Sequence, residues 1–324
     1  MSTRRALLDA LHEGSVSGPS LAEELGVSRA AVWKAVESLR EEGFDVESTD
    51  DGYVAPANPG YSAAGIEFGL DAPYRVEYHD SLPSTNERGR ELANQGAEDT
   101  AVVTDEQTGG RGRLDREFVS PSGGVWLSIV TRPAVSPALA PLYTLASAVA
   151  IVDACQQAGV DAHIKWPNDV LVGDDHADAA DSAGRGGRKL AGILTEMEGE
   201  ADRVSWLVVG IGVNVNIDTA LLPAGATSLS AEVGDDVDRR RIAATILERY
   251  AALKAPDCGI ETILPAWREH ASTLGRQVRV ETARGSVTGT AVDVESSGAL
   301  VIDTGNGTKR VHAGDCEHLR DADE

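Results

Sequence analysis

The pattern of apolar and polar positions changes three times along the chain. At the start, apolar residues recur at helical spacing. Leu7, Leu8 and Leu11 share one face of a helix over residues 4–13. Ser20 reads as the cap of a second, short helix, with Glu23 three residues on as in a capping box and Gly26 as its stop. Ser28 caps a third helix in which Val32, Val36 and Leu39 fall at i, i+4 and i+7, closed by Gly43. The stretch that follows alternates and carries Asp51-Gly52, a hairpin turn. Helix, short helix, tight turn, helix and hairpin together predict a winged helix-turn-helix over residues 1–56.

Residues 57–72 are rich in proline, glycine and other small residues and read as a linker. Residues 73–272 then mix strand and helix patterns. Strands are expected at 101–104, 125–131, 169–172, 190–198 and 203–216, and helices at 137–158 and about 238–254. In the first of these helices Leu139, Leu142, Tyr143, Leu145, Ala146 and Val149 form the apolar face. The expectation is one mixed sheet with helices packed on it. Residues 173–188 contain no aliphatic side chain larger than alanine, so they read as a mobile loop between two strands. From 273 to 324 short alternating strands, with turns at Ser297-Gly298 and Asn306-Gly307, predict a small β-barrel. The fold class is α+β.

Composition narrows the setting. No apolar run approaches the length of a membrane span, and the first residues do not resemble a secretory signal, so the chain reads as cytoplasmic, with no membrane partner. Cys155, Cys258 and Cys316 lie far apart and read as buried or half-buried free thiols; the seven histidines show no metal-ligand spacing, and no protein-held metal is expected. The 52 Asp and Glu against 29 Lys and Arg give a net charge of −23. Two explanations compete: a chain that avoids nucleic acid, or a surface adapted to a high-salt cytosol. The acidic residues are spread throughout and interleaved with apolar ones, and lysine is rare, which favours adaptation to salt.

Five motifs carry candidate chemistry. Gln107-Thr108-Gly109-Gly110-Arg111-Gly112-Arg113 offers backbone amides and two forked donors to a phosphate or carboxylate, without P-loop or dinucleotide spacing. Lys165-Trp166-Pro167-Asn168-Asp169 places a lysine at a strand end beside polar turn residues, where it can serve a phosphate as a point charge. Lys189-Leu190-Ala191-Gly192-Ile193-Leu194-Thr195-Glu196 and Gly210-Ile211-Gly212-Val213-Asn214-Val215-Asn216 are apolar strands punctuated by glycine. Their plainest reading is a buried strand needing close backbone approach, and Asn214 and Asn216 there need hydrogen-bond partners. Ser84-Thr85-Asn86 opens a helical stretch, where three short polar side chains cap the helix or grip a polar ligand.

These five motifs, in this order, resemble the biotin–protein ligases. The segment SRAAVWKAVESLREEG resembles the DNA-binding domain of the bifunctional ligase and biotin-operon repressor, and the end of the chain resembles that family's C-terminal barrel. The resemblance implies a central ligase domain of the class II synthetase-like type and a C-terminal SH3-like β-barrel. It implies formation of biotinyl-5′-AMP from biotin and ATP with Mg²⁺, then transfer to a lysine of a biotin carboxyl carrier domain. Lys165, Arg111 and Arg113 would be the catalytic residues. Ser84, Thr85, Asn86, Gln107, Gly110, Gly112 and Gly192 would complete the biotin and adenylate site, and Asn168, Asp169 and Asn214 would meet nucleotide or metal. Ser28, Arg29 and Lys34 would contact operator DNA, with a homodimer forming when adenylate is bound. Two positions depart from the family pattern: Asp115 stands where the loop carries glycine and Phe118 where it carries tryptophan, with Arg113 and Arg116 retained. The rival classes are a ligand-sensing transcription factor without turnover and a lipoate ligase or octanoyl transferase. Against DNA binding, residues 1–54 hold 11 acidic residues and five basic ones, of which Arg29, Lys34 and Arg40 fall on the recognition helix.

Overall fold

The computed structural model describes residues 2–173, 186–254, 259–283 and 285–321. The chain divides into two compact units, Met1–Tyr78 and His79–Glu324. The 173–188 loop and Cys258 fall largely or wholly outside the described residues.

In the first unit, helices α1 (Thr3–Glu13), α2 (Gly18–Glu24) and α3 (Arg29–Glu41) precede a hairpin of β1 (Glu47–Thr49) and β2 (Gly52–Val54). The predicted stripes are the core: Leu7, Leu8 and Leu11 meet Leu21, Val32, Val36, Leu39 and Phe44. Ser28 caps α3 through Ala31 N at 3.1 Å. The cap of α2 is Ser17, not Ser20; Gly18 and Pro19 form the first turn, since a proline there gives up only an amide that has no partner anyway. The stretch expected to be a bare linker also folds. Ser62 caps a short helix α4 (Ala63–Glu67), Ala64 joins the core, and Phe68 packs edge-on to His12 and tilted against Phe44. Arg4 pairs with Glu67, which is 2% exposed, and Arg5 donates to Leu70 O. Proline and glycine density suggested a linker, but Ile66, Phe68 and Leu70 are apolar enough to pack.

A seven-stranded sheet comprises β3 (Arg75–Leu82), which spans the boundary, and, within the second unit, β4 (Thr100–Gln107), β5 (Val125–Thr131), β6 (Ala162–Lys165), β7 (Asp169–Val172), β8 (Arg188–Gly199) and β9 (Val204–Val213). The order is β3-β4-β5-β9-β8-β7-β6, and the pairings from β4 to β6 are antiparallel. The two faces are told apart by alternation along β8. Glu196 meets α5 (Thr85–Asn94) through Asn86, and its neighbour Thr195 meets α6 (Pro141–Gln157) through Thr144. The expected helix over 137–158 begins with a single 3-10 turn, Pro137–Leu139, and continues as α6. With that turn it is a 21-residue segment apolar enough to cross a membrane, which the sequence reading did not anticipate. Its apolar residues are instead buried against the sheet and against α8 (Arg239–Lys254) and α9 (Gly259–His270); α7 (Leu229–Val233) is a short helix on the way. The last strand ends at Val213, so Asn214 and Asn216 lie just past it rather than within it.

The end of the chain forms β10 (Gln277–Thr282), β11 (Gly285–Val294), β12 (Leu300–Asp303), β13 (Thr308–Val311) and β14 (Cys316–Asp321). They make one antiparallel sheet in the order β13-β12-β11-β10-β14, compatible with the expected barrel but left open between β13 and β14 among the described residues. Cys155 and Cys316 are free and buried, as expected, and burial pushes the Cys155 thiol up to about 12.

Candidate active site

A cavity of about 480 Å³ opens on the α5 face of the large sheet. Its floor follows from register. Gly192 pairs with Gly212 and Leu194 with Gly210, while Gly212 and Gly210 face Trp126 and Ser128 on β5. Period-two alternation therefore sends all three glycines to one face. A Cβ on Gly212 would stand 2.5 Å from the Phe118 ring, and one on Gly192 3.2 Å from both that ring and Lys189 Nζ. The glycines thus serve close approach, as the plainer reading had it, and what approaches them is the site itself.

Ser84 caps α5, with Glu87 N 3.4 Å from its Oγ. Thr85 donates from its backbone N–H (2.8 Å) and its hydroxyl (3.1 Å) to Gln107 Oε1, whose own amide donates to Ser120 Oγ at 3.0 Å. Ser128 Oγ lies 2.8 Å from Thr85 Oγ1 and 2.6 Å from Asn86 Oδ1. Asn86 gives both amide hydrogens away, to Leu194 O (3.1 Å) and Glu196 Oε2 (2.7 Å), so it fixes the helix start rather than waiting for a ligand. Ser128, a hydroxyl in the middle of the apolar run VWLSIV, is the signal that the sequence pattern offered.

The glycine/arginine loop is a folded excursion. Gln107 bridges to Ser120 and Arg111 to Glu117, Phe118 N donates to Gly110 O at 2.9 Å, and Gly112 N to Arg116 O at 2.7 Å. Gly110 closes this excursion from behind and does not line the cavity; Gly112 does. Leu114 and Asp115 both take positive φ, 57° and 54°, although neither is glycine. Two consecutive left-handed non-glycine residues cost roughly 1–2 kcal/mol each.

Arg113 is held by three acceptors. It donates to Asn168 Oδ1 (3.2 Å) and, at 2.5 Å each, to the carbonyls of Ala313 and Cys316 beside β14. Arg116 Nη2 lies 3.1 Å from the ring of His318. Arg111, by contrast, leaves 72% of its side chain exposed. Lys165 ends β6 and lines the cavity. Its neighbour Trp166 is buried, and donates from the backbone to Thr273 Oγ1 (2.9 Å) and from the indole to Gly298 O (3.0 Å). That anchoring fixes the lysine's strand end against the C-terminal sheet. Asn168 also donates to Ile193 O at 2.8 Å. Asp169 pairs at 2.6 Å with Lys189, a second lysine of the cavity that also lies 5.7 Å from the Phe118 ring centre; its sequence motif reads as a buried strand and gives no sign of this part in the site. Burial raises the Cys316 thiol, against the opposing charges of Arg113, Lys165 and Arg116. Asn214 lines the cavity and donates to Thr227 O at 2.9 Å, while Asn216 closes a pair of 2.9 Å bonds with Val237, so both asparagines have the partners they need. Ser28, Arg29 and Lys34 lie in the other unit, on the exposed start of α3.

No group of three or more histidine, cysteine or carboxylate side chains that could hold a metal occurs among the described residues. One carboxylate already paired with a lysine, Asp169, suits Mg²⁺ carried in on a triphosphate better than an ion caged by protein.

Residues 78–214 match the biotin/lipoate A/B protein ligase family, 273–319 the biotin protein ligase C-terminal domain and 3–54 a helix-turn-helix domain. The chain is 38% identical over 318 residues to the bifunctional ligase/repressor BirA of Bacillus subtilis, covering 93% of each protein. It is 28% identical to that of Escherichia coli, covering 89% of this chain and 88% of that one. The biotin protein ligase of Aquifex aeolicus in complex with biotin and ATP superposes with a TM-score of 0.62 at 26% identity, over 76% of this chain and 99% of that structure. The chain therefore belongs to the family of bifunctional biotin ligase/repressors.

Proposed function

We propose that this protein activates biotin with Mg·ATP to biotinyl-5′-AMP and passes the biotinyl group to a lysine of a biotin carboxyl carrier domain. Through its winged helix it would also act as a biotin-responsive repressor. The observation that carries the ligase reading is the polarity of one cavity. The cavity over the glycine floor is lined both by Thr85 and Gln107, hydrogen-bonded to each other and backed by Ser128, and by three cations, Lys165, Arg111 and Lys189. The neutral ureido ring of biotin suits the uncharged pair, and its carboxylate and the nucleotide phosphates suit the cations.

In the first step the biotin carboxylate oxygen attacks the α-phosphorus, the bond to the bridging oxygen breaks and pyrophosphate leaves. Lys165 is the charge that meets the developing pentacoordinate phosphorus, so its contribution grows towards the transition state. Arg111 has the freedom to reach phosphate, and Arg113 holds the loop to Asn168 and the C-terminal sheet. Mg²⁺ would neutralise triphosphate charge on the leaving side. In the second step the carrier's neutral amine attacks the acyl carbon and AMP departs. Both nucleophiles come from substrates, so the protein's part is positioning and electrostatics.

The test is pyrophosphate release with biotin or lipoate as the acid, followed by blotting for biotin on a purified carrier domain. Biotin-dependent release and carrier labelling are expected. Release with lipoate alone would move the protein to the lipoate branch, and none with either would leave a sensor without turnover. A homodimer of the adenylate-bound form fits the two-fold symmetry of operator recognition, and sedimentation with and without biotin and ATP tests it. The net charge of −23 supports a salt-adapted reading. Thermal stability should then rise with KCl towards molar concentration, and a flat or falling curve would remove that reading.

A further inference from the structure

Four of the chain's five tryptophans, Trp126, Trp166, Trp206 and Trp267, are at most 6% exposed, whereas Trp33 is 58% exposed. It lies on α3, whose buried stripe is Val32, Ala35, Val36 and Leu39, so its indole stands on the opposite, solvent side with Arg29, Ala30 and Lys34. Leaving so large an apolar side chain in water forfeits the burial that the other four obtain.

The charges around it are sorted. Of the five basic residues in 1–54, three are consumed internally: Arg4 by Glu42 and Glu67, Arg5 by Asp9, and Arg40 by Glu37 at 2.7 Å and by the carbonyl of Val46. Arg29 and Lys34 make no ion pair or hydrogen bond among the described residues. The acidic residues of α3, Glu37 and Glu41, come in its C-terminal half, and its first turn has none. An acidic unit therefore presents two free cations and one indole together on the N-terminal half of one helix.

We propose that Trp33 is a sequence-reading residue of this helix, with its indole set against the C5-methyl of thymine in the major groove of duplex DNA. The inference rests on the repressor reading above and deepens it. The thymine methyl is the one apolar group that base edges present in that groove. Arg29 and Lys34 flank the indole as phosphate contacts. Two such contacts per copy give a shallow salt dependence, a log–log slope of about −2 for one copy or about −4 for two. Discrimination then falls to contacts with bases, and the exposed indole is placed to make one.

The experiment uses full-length protein with biotin and Mg·ATP, and selects duplexes from a random pool with wild type and with Trp33→Ala. Wild type should enrich a motif with thymine at one position of each half-site. The variant should lose that preference and bind the enriched duplex about tenfold more weakly, which is the scale of one lost base-pair contact. Its affinity for unrelated duplex and its salt slope should not move, and its biotin-dependent pyrophosphate release should match wild type. Because the other tryptophans are buried, acrylamide-quenchable fluorescence reports Trp33, and the enriched duplex should shield it. Equal enrichment and affinity for the variant would overturn the inference while leaving the repressor reading intact. Shielding by biotin and ATP without DNA would overturn it too, in favour of a protein contact. A wild type that enriches nothing overturns the repressor reading itself.

Discussion

Replacing Gly210 with alanine tests the packing that sets the cavity floor. Gly210 has an ordinary strand backbone, so the change carries no conformational penalty and would by itself stabilise by about 0.5–1 kcal/mol through the unfolded chain. The new methyl, however, would lie 2.9 Å from Asn86 Cγ and closer still to its Oδ1. Asn86 has no room to retreat: it is 6% exposed and held by Leu194 O, Glu196 and Ser128. Displacing it weakens three buried hydrogen bonds, each worth roughly 1–3 kcal/mol when a partner is left unsatisfied. After the favourable term the expected net loss is about 2–4 kcal/mol, and the melting temperature should fall by about 4–16 °C for a unit of this size. Thermal unfolding followed by circular dichroism gives the shift. Asn86→Ala supplies the control, because with the amide gone the methyl has space and Gly210→Ala should cost little on that background. An equal cost with and without Asn86 would refute the argument.

Lys165→Ala should slow pyrophosphate release by about a hundredfold or more, roughly 3 kcal/mol of transition-state stabilisation; turnover within a factor of three of wild type would remove the assignment. Removal of residues 1–54 should bare Ala64 and Phe68, which pack in the helical core, and yield an aggregation-prone protein. Removal of 1–72 should keep ligase turnover, and light scattering with the activity assay separates the two. The Asp105 carboxyl is raised by burial, but hydrogen bonds from Ser122 and Arg239, the Arg239 charge and the Gly123 amide outweigh this and hold it below its usual value of 3.8. A depressed folded value stabilises above the unfolded one and is lost as pH falls through the folded one. Asp105→Asn should therefore melt below wild type at neutral pH, with the gap closing below about pH 4; a gap that persists in acid would count against it.

Local spacing alone determined the winged helix and the order of the motifs. The stripe Val32, Val36 and Leu39, the cap at Ser28 and the hairpin are set by neighbours within a few residues, and periodicity exposes them directly, although the turn falls at Asp50-Asp51 and Gly52 already pairs with Thr49. The run KWPND marked Lys165 because a lysine at a strand end beside polar turn residues can serve a phosphate as a point charge. Pairing across distance was hidden. That Gly192, Gly210 and Gly212 share a face depends on the register of β8 with β9, and that Asn86 is spent on Leu194 and Glu196 depends on where α5 lands. The fastening of Arg113 to carbonyls 200 and 203 residues away exists only once the C-terminal sheet is in place. So does the hold of Trp166 on Thr273 and Gly298. A linker composition likewise concealed α4, because whether Ala64 and Phe68 are loop or core turns on the surface that α1 and α3 offer them. The sequence carries which groups can do the chemistry; long-range packing decides which remain free to do it.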